Sequence, residues 1–129
     1  MPVNVIDASA LAAVLFSAPE ADRVLSAIGN DALVAPTLLL FEIASVCLKK
    51  VRRHPKKRRV ILEAHSLMDR LEIETVDLPL SDAVLLAERQ KLTLYDAVYV
   101  LLAQRLNTEL ITLDRQVRKA FEAMTKKVT

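Results

Sequence analysis

At 129 residues, 53% of them hydrophobic and with a mean hydropathy of +0.28, the chain can bury a substantial core, and a single domain over residues 1–129 is expected. No uninterrupted apolar stretch approaches the roughly 20 residues of a bilayer span, and the N-terminus lacks the basic start, apolar middle and cleavage site of a secretory signal, so a soluble cytoplasmic protein is expected. The one cysteine, Cys47, excludes an internal disulfide; with it, two histidines cannot complete an ordinary zinc site, and one glycine leaves no Gly-rich phosphate loop. The net charge of +2 hides a segregation. Lys49, Lys50, Arg52, Arg53, Lys56, Lys57, Arg58 and Arg59 fall in one short segment, and without them the 18 basic residues drop to 10 against 16 acidic ones.

In chain order, Val3-Asn4-Val5-Ile6 is a β-branched run too short for a helix, and it predicts a buried strand that delivers Asp7 at its C-terminal end. Residues 9–17 are apolar on nearly every side and predict a helix ended or redirected by Pro19. Residues 20–28 predict a second helix with Gly29 as its C-terminal cap. A short strand over 32–35, closed by Pro36, completes a strand, helix, helix, strand unit of the kind that joins parallel strands. From Thr37 a long apolar run predicts a buried helix carrying a single acid, Glu42, and continuing through Lys49 to Arg53. His54-Pro55 breaks it, and an amphipathic helix restarts over 56–71. Residues 72–76 alternate as a half-exposed strand, and 81–90 form a helix opened by Ser81 and Asp82. Thr93 and Asp96 have capping-box spacing ahead of three apolar turns, which predicts a buried helix beginning close to Asp96. Residues 109–113 are a further buried strand ended by Asp114, residues 115–124 an amphipathic helix, and residues 126–129 a frayed tail or a short edge strand. Strands alternating with helices in this way predict an α/β protein, a three-layer α/β/α sandwich on a parallel sheet.

In a right-handed parallel sheet the strand C-termini and the N-termini of the following helices share one edge, where open α/β sheets bind their ligands. Asp7 and Asp114 each close a strand, Asp96 begins a helix, and Glu42 lies under two turns into one, so all four point to that edge. Each has a structural alternative. Asp7 and Asp114 can be N-caps, Asp96 a capping-box acid that complements the helix dipole, and Glu42 one half of a buried salt bridge with an arginine. Glu42 is the hardest to dismiss, because a charge in an apolar helix costs several kcal/mol unless it is paired. Four clustered carboxylates repel one another, and a divalent cation reverses that. All-oxygen ligation selects Mg²⁺ or Mn²⁺, and a water made more acidic by such an ion can attack phosphorus in line, so the chemistry implied is phosphodiester hydrolysis.

The blocks Val5-Ile6-Asp7-Ala8-Ser9-Ala10-Leu11, the helix around Glu42, Leu94-Tyr95-Asp96-Ala97-Val98-Tyr99 and Leu110-Ile111-Thr112-Leu113-Asp114 resemble, in order and spacing, those of PIN-domain ribonucleases. The size resembles that of the VapC-type toxins of toxin–antitoxin pairs, and the resemblance covers essentially the whole chain. It implies an α/β/α sandwich, Mg²⁺- or Mn²⁺-dependent endonucleolytic cleavage of RNA, and inhibition by a cognate antitoxin. Asp7, Glu42, Asp96 and Asp114 match the family's acidic quartet, and Ser9 and Thr112 match hydroxyl positions that help orient it. The family also implies a homodimer, for which the second helix and the helix over 56–71 are candidate surfaces.

The basic segment from Lys49 to Arg59 suits an RNA backbone, an antitoxin's acidic residues, or simply a solvated turn. Tyr95 and Tyr99 can stack on bases or fill core, and His54 and His65 have no catalytic partner in the sequence. Two other classes compete. A signalling receiver domain expects adjacent acids after the first strand, and here Asp7 is followed by Ala8 and Ser9. A non-catalytic nucleic-acid or protein-binding module would use the basic segment and leave the acids as caps.

Overall fold

Three of the four side chains in Val3-Asn4-Val5-Ile6 are β-branched, and this segment forms β1 (Val3–Ile6), the strand from which the sheet extends both ways. The structure is a computed structural model that describes residues 2–128, without the side chains of 126–128. β1 pairs in parallel with β2 (Ala32–Pro36) on one side and with β4 (Leu110–Ile111) on the other. β3 (Glu74–Val76) lies beyond β2, giving the order β3-β2-β1-β4.

The helices between these strands are α1 (Ala8–Leu15), α2 (Ala21–Ile28), α3 (Leu38–Arg53), α4 (Arg58–Ser66), α5 (Leu80–Gln90), α6 (Leu94–Leu106) and α7 (Arg115–Val128). The chain steps from β1 to β2 to β3 in one direction and then returns past β1 to β4. Right-handed crossovers therefore put α1 to α4 on one face and α5 and α6 on the other, the three layers the alternation predicts. The direction reverses between β1 and β4, the switch point at which parallel sheets open a crevice.

α6 is the most deeply placed helix: every residue from Ala97 to Ala103 is buried, between the sheet on one side and α5 and α7 on the other. α3 differs from its expected burial. Only the stripe Leu39, Ile43 and Cys47 faces the core, while Leu40 and Phe41 stand in solvent, Phe41 at 71% exposure. Thus Glu42 occupies the border of a half-covered helix. No helix among the described residues is long and apolar enough to cross a membrane.

Several boundaries shift for local reasons. α1 stops at Leu15, ahead of Pro19, because Ser17 turns left-handed at φ 55° and the Ala18 amide bonds back to the Ala13 carbonyl at 2.9 Å. β3 begins at Glu74 because Glu72 is left-handed, at φ 50°. The amphipathic stretch over 56–71 is three pieces: a 3₁₀ turn at Pro55–Lys57, α4, and a 3₁₀ turn at Leu67–Arg70. Ser66 donates its hydroxyl to the Glu63 carbonyl at 2.6 Å, a local bond that competes with the α-ladder where the tighter turn begins. The strand predicted over 109–113 is regular only at Leu110–Ile111. α7 continues to Val128, in place of the frayed tail or short edge strand expected over 126–129; Thr129 lies outside the described residues.

With one glycine in the chain, left-handed helix ends fall on other residues. Gly29 (φ 55°) ends α2, but Lys91 (φ 56°) ends α5 and Asn107 (φ 52°) ends α6, each followed by an amide bonded back five residues. Asparagine tolerates this conformation better than lysine. Replacing Lys91 by glycine is expected to stabilise the fold by roughly 0.5–1 kcal/mol, and Lys91→Val to destabilise it, in urea unfolding at constant m-value.

Candidate active site

β1 ends at Asp7, whose extended backbone (φ −98°, ψ 175°) turns the chain into α1. Its carboxylate is 6% exposed and accepts three hydrogen bonds. Oδ1 takes the Ala10 amide at 3.0 Å and the Ser9 hydroxyl at 2.7 Å, and Oδ2 takes the Thr112 hydroxyl. Asp7 is therefore the N-cap its sequence allowed, and it also faces the edge.

The two hydroxyls are themselves held by the loop after β4. Ser9 Oγ accepts the Leu113 amide at 3.0 Å, and Thr112 Oγ1 accepts the Asp114 amide at 3.0 Å. Each hydroxyl proton is already committed to Asp7, so the 3.4 Å approach of the two oxygens is a packing contact. Two parallel relays thus run from the β4–α7 backbone through Ser9 and Thr112 onto the two oxygens of Asp7. The structure thus places Ser9 and Thr112, which the sequence blocks matched to hydroxyls supporting the acidic quartet, on Asp7.

Asp114 caps α7: its Oδ1 accepts the amides of Gln116 at 2.9 Å and Val117 at 3.1 Å. Thr93 caps α6, its hydroxyl oxygen accepting the Asp96 amide at 3.1 Å. The reciprocal half of the capping box, from the Thr93 amide to the Asp96 carboxylate, is not made among the described residues. Asp96 begins α6 without serving as its cap.

Glu42 is half-buried, and Tyr99 donates its hydroxyl to Glu42 Oε1 at 2.5 Å. The arginine partner considered for Glu42 is absent: the two ion pairs among the described residues are Arg59–Glu63 and Arg105–Asp82. Tyr99 is 2% exposed and its ring is core, whereas Tyr95 is exposed. Tyr99 was the residue the sequence hid. A buried tyrosine needs an acceptor and a buried glutamate needs a donor, and the spacing of Asp96 and Tyr99 by one helical turn puts both on one face of α6, so pairing the two unsatisfied groups would have found the bond.

The electrostatics show which acids are neighbours. Burial raises the Asp7 pKa above the usual carboxylate range, against three hydrogen bonds that lower it, and the charge of Asp114 adds to the rise. Burial raises Glu42 as well; Tyr99 opposes the rise, and Asp96 and Asp7 add to it. For Asp96 burial is again first, followed by the charge of Asp114; the Thr93 hydroxyl opposes the rise, and the charge of Asp7 adds to it. The field of Glu42 thus meets Asp7 and Asp96, and theirs meet Asp114. That is the order expected from the sheet, since Glu42 follows β2, Asp7 follows β1 and Asp114 follows β4.

Among the described residues, no group of three or more carboxylate, imidazole or thiol side chains is drawn tightly enough to clasp a metal ion directly. Like charges hold carboxylates apart unless something neutralises them. The donor chemistry nevertheless fits a hard divalent cation: four carboxylates, each within the field of at least two others, none paired with lysine or arginine among the described residues. Mg²⁺ commonly keeps several waters and takes only one or two direct carboxylates, so a loose ring suffices.

The basic segment lies elsewhere. Lys50 sits 5.4 Å over the ring of Phe16, at the end of α1 opposite Asp7, and Glu42 and Arg53 are separated along α3 by about 16 Å of helix rise. The acids and the cations occupy opposite ends of α1 and α3. His54 and His65 are not among the groups near the acids.

Three comparisons bear on this arrangement. The family model described as "PIN domain" matches residues 5–122. Ribonuclease VapC3 of Pyrobaculum aerophilum is 30% identical over 125 residues, covering 93% of this chain and 95% of its own. The crystal structure of PAE2754 from Pyrobaculum aerophilum superposes with a TM-score of 0.74 at 23% identity, over 92% of this chain and 84% of that one, a likeness of fold. Four blocks in order, a parallel sheet whose edge gathers their acids, and a family model spanning nearly the whole chain agree: the chain belongs to the PIN-domain family and is of the VapC type.

Proposed function

We propose that the protein is a divalent-metal-dependent endoribonuclease, the toxin of a type II toxin–antitoxin pair, acting from the cytoplasm and inhibited by a cognate antitoxin. The observation that carries this reading is the meeting of Asp7, Glu42, Asp96 and Asp114 at the switch point of the sheet, with no lysine or arginine paired to them among the described residues. The name of the Pyrobaculum aerophilum relative supports the substrate. Asp7, Asp96 and Asp114, with Glu42, would hold Mg²⁺ or Mn²⁺. A hard cation held there supplies a more acidic water and stabilises negative charge growing on a phosphate.

The chain's own contributions follow from the geometry. Ser9 and Thr112 fix the orientation of Asp7, and Asp114 keeps one oxygen on its helix cap and leaves the other without a hydrogen-bond partner among the described residues. A carboxylate at the rim accepts the proton of the attacking water. The cations from Lys49 to Arg59, all exposed except the half-covered Lys50, give the RNA backbone a sequence-independent, salt-sensitive hold at the far end of α3. An RNA strand long enough to run from one end to the other uses both. A homodimer is part of the same proposal.

The caps formed by Asp7 and Asp114 support a second reading, a binding module whose acids are structural. Asp96 separates the two, because its carboxylate caps nothing. With purified protein and single-stranded RNA, cleavage is expected with Mg²⁺ or Mn²⁺, none with EDTA, and at least a hundredfold less for Asp96→Asn, whose melting temperature should stay near that of the wild type. RNA binding indifferent to metal and to Asp96→Asn, with no cleavage, would favour the binding module.

The raised carboxylates also set a pH dependence with a definite sign. A carboxyl group whose pKa is higher folded than unfolded binds its proton more tightly in the folded state, so these groups make the metal-free protein less stable as pH rises through their folded pKa values. Thermal melts in EDTA should show Asp7→Asn gaining on the wild type at pH 8 relative to pH 4. Millimolar Mn²⁺ should raise the melting temperature at pH 8 and lose that effect as the acids protonate.

A further inference from the structure

Among the described residues, Tyr99 is a buried group at this edge to which the proposed chemistry gives no role. Its ring is fixed by the core of α6, at 2% exposure, so its hydroxyl occupies a determined point. From there it donates to Glu42 Oε1 at 2.5 Å, across 57 positions of sequence. Among the described residues this is the hydrogen bond that ties the Glu42 side chain to the rest of the protein. Glu42 otherwise stands on a helix that buries only the stripe Leu39, Ile43 and Cys47, beside the exposed Phe41. A glutamate at such a border has free torsions that would let its carboxylate swing to solvent.

From this geometry we infer that Tyr99 is a positioning residue: it occupies one oxygen of Glu42 and aims the other at the site formed with Asp7 and Asp96. The inference rests on the metal-dependent reading above. It makes α6 a double contributor, supplying Asp96 from its first turn and the support of Glu42 from the next. Outer groups that orient a metal-binding carboxylate commonly change metal affinity or activity by ten- to a hundredfold when removed. A structural hydroxyl, one that merely needs an acceptor, predicts a change in stability and none in affinity.

The test is Mn²⁺ affinity, by electron paramagnetic resonance titration, of the wild type, Tyr99→Phe, Glu42→Ala and the double variant, with circular dichroism melts beside it. Phenylalanine fills the same volume, so the fold should persist. Tyr99→Phe should weaken Mn²⁺ binding about tenfold or more and lower kcat for RNA cleavage with KM unchanged. On the Glu42→Ala background the same change should cost less than about twofold, because its route of action is gone. Glu42→Asp, which leaves the buried ring untouched and keeps the charge but falls short of the Tyr99 hydroxyl, should lose affinity comparably. Wild-type Mn²⁺ affinity in either Tyr99→Phe or Glu42→Asp, or an undiminished Tyr99→Phe effect without Glu42, would overturn the positioning role alone. A wild type that binds no Mn²⁺, or an Asp96→Asn variant that binds it equally well, would instead overturn the metal-dependent reading and this inference with it.

Discussion

Negative charge crowded at one edge of a parallel sheet, paired with no lysine or arginine among the described residues, is the constraint around which this protein is built. Asp7 is almost wholly buried, and Glu42 and Asp96 are partly so, each raised by burial and by the charge of another acid. A fold selected for stability alone has no use for that arrangement, since burying a carboxylate without a positive partner is costly. The surrounding structure offsets part of the cost. Three hydrogen bonds reach Asp7, two helix amides reach Asp114, and a tyrosine reaches Glu42. These bonds hold the carboxylates in place while leaving an oxygen of Glu42 and one of Asp114 free of helix or side-chain partners among the described residues.

Topology does the gathering. Strands β1, β2 and β4 run in one direction, so their C-terminal ends present Asp7, the start of α3 with Glu42, and Asp114 in a row. α6 comes from the opposite layer, and its first turn adds Asp96. The same geometry carries the basic segment away, because α3 leaves the acidic edge at its N-terminus and reaches Lys49 to Arg53 only at its far end. The molecule is therefore polar along its helices. In the proposed nuclease, binding charge and chemistry are separated by about 10–16 Å along α3, the rise from Glu42 to Lys49 and Arg53.

Much of this was legible in the residues. The β-branched run before Asp7, the apolar turns after Asp96 and the run before Asp114 each have one sensible structure, and chirality then sends all of them to one edge. The signals failed where two local rules competed. α3 reads as buried because its apolar residues surround Glu42, yet only the stripe Leu39, Ile43 and Cys47 packs, and Leu40 and Phe41 stay in solvent. Residues 56–71 read as one amphipathic helix because periodicity survives the 3₁₀ turns at both ends. Tyr99 fills core, one of the two readings open to it, while Tyr95 does not; the bond from Tyr99 to Glu42 joins positions 57 residues apart, so only the demand of each buried group for a partner points to it, not spacing.

The central claim, that the four acids exist to hold a divalent cation, is tested most directly by diffraction from crystals grown or soaked with Mn²⁺, recorded at a wavelength where manganese scatters anomalously. The account predicts an anomalous peak at the sheet edge, ligated by Asp7, Asp96 or Asp114 directly and by Glu42 directly or through water, with Ser9 and Thr112 still bonded to Asp7. A fully occupied peak elsewhere, or none at millimolar Mn²⁺ with the acids ionised and still engaged only as helix caps, would contradict it.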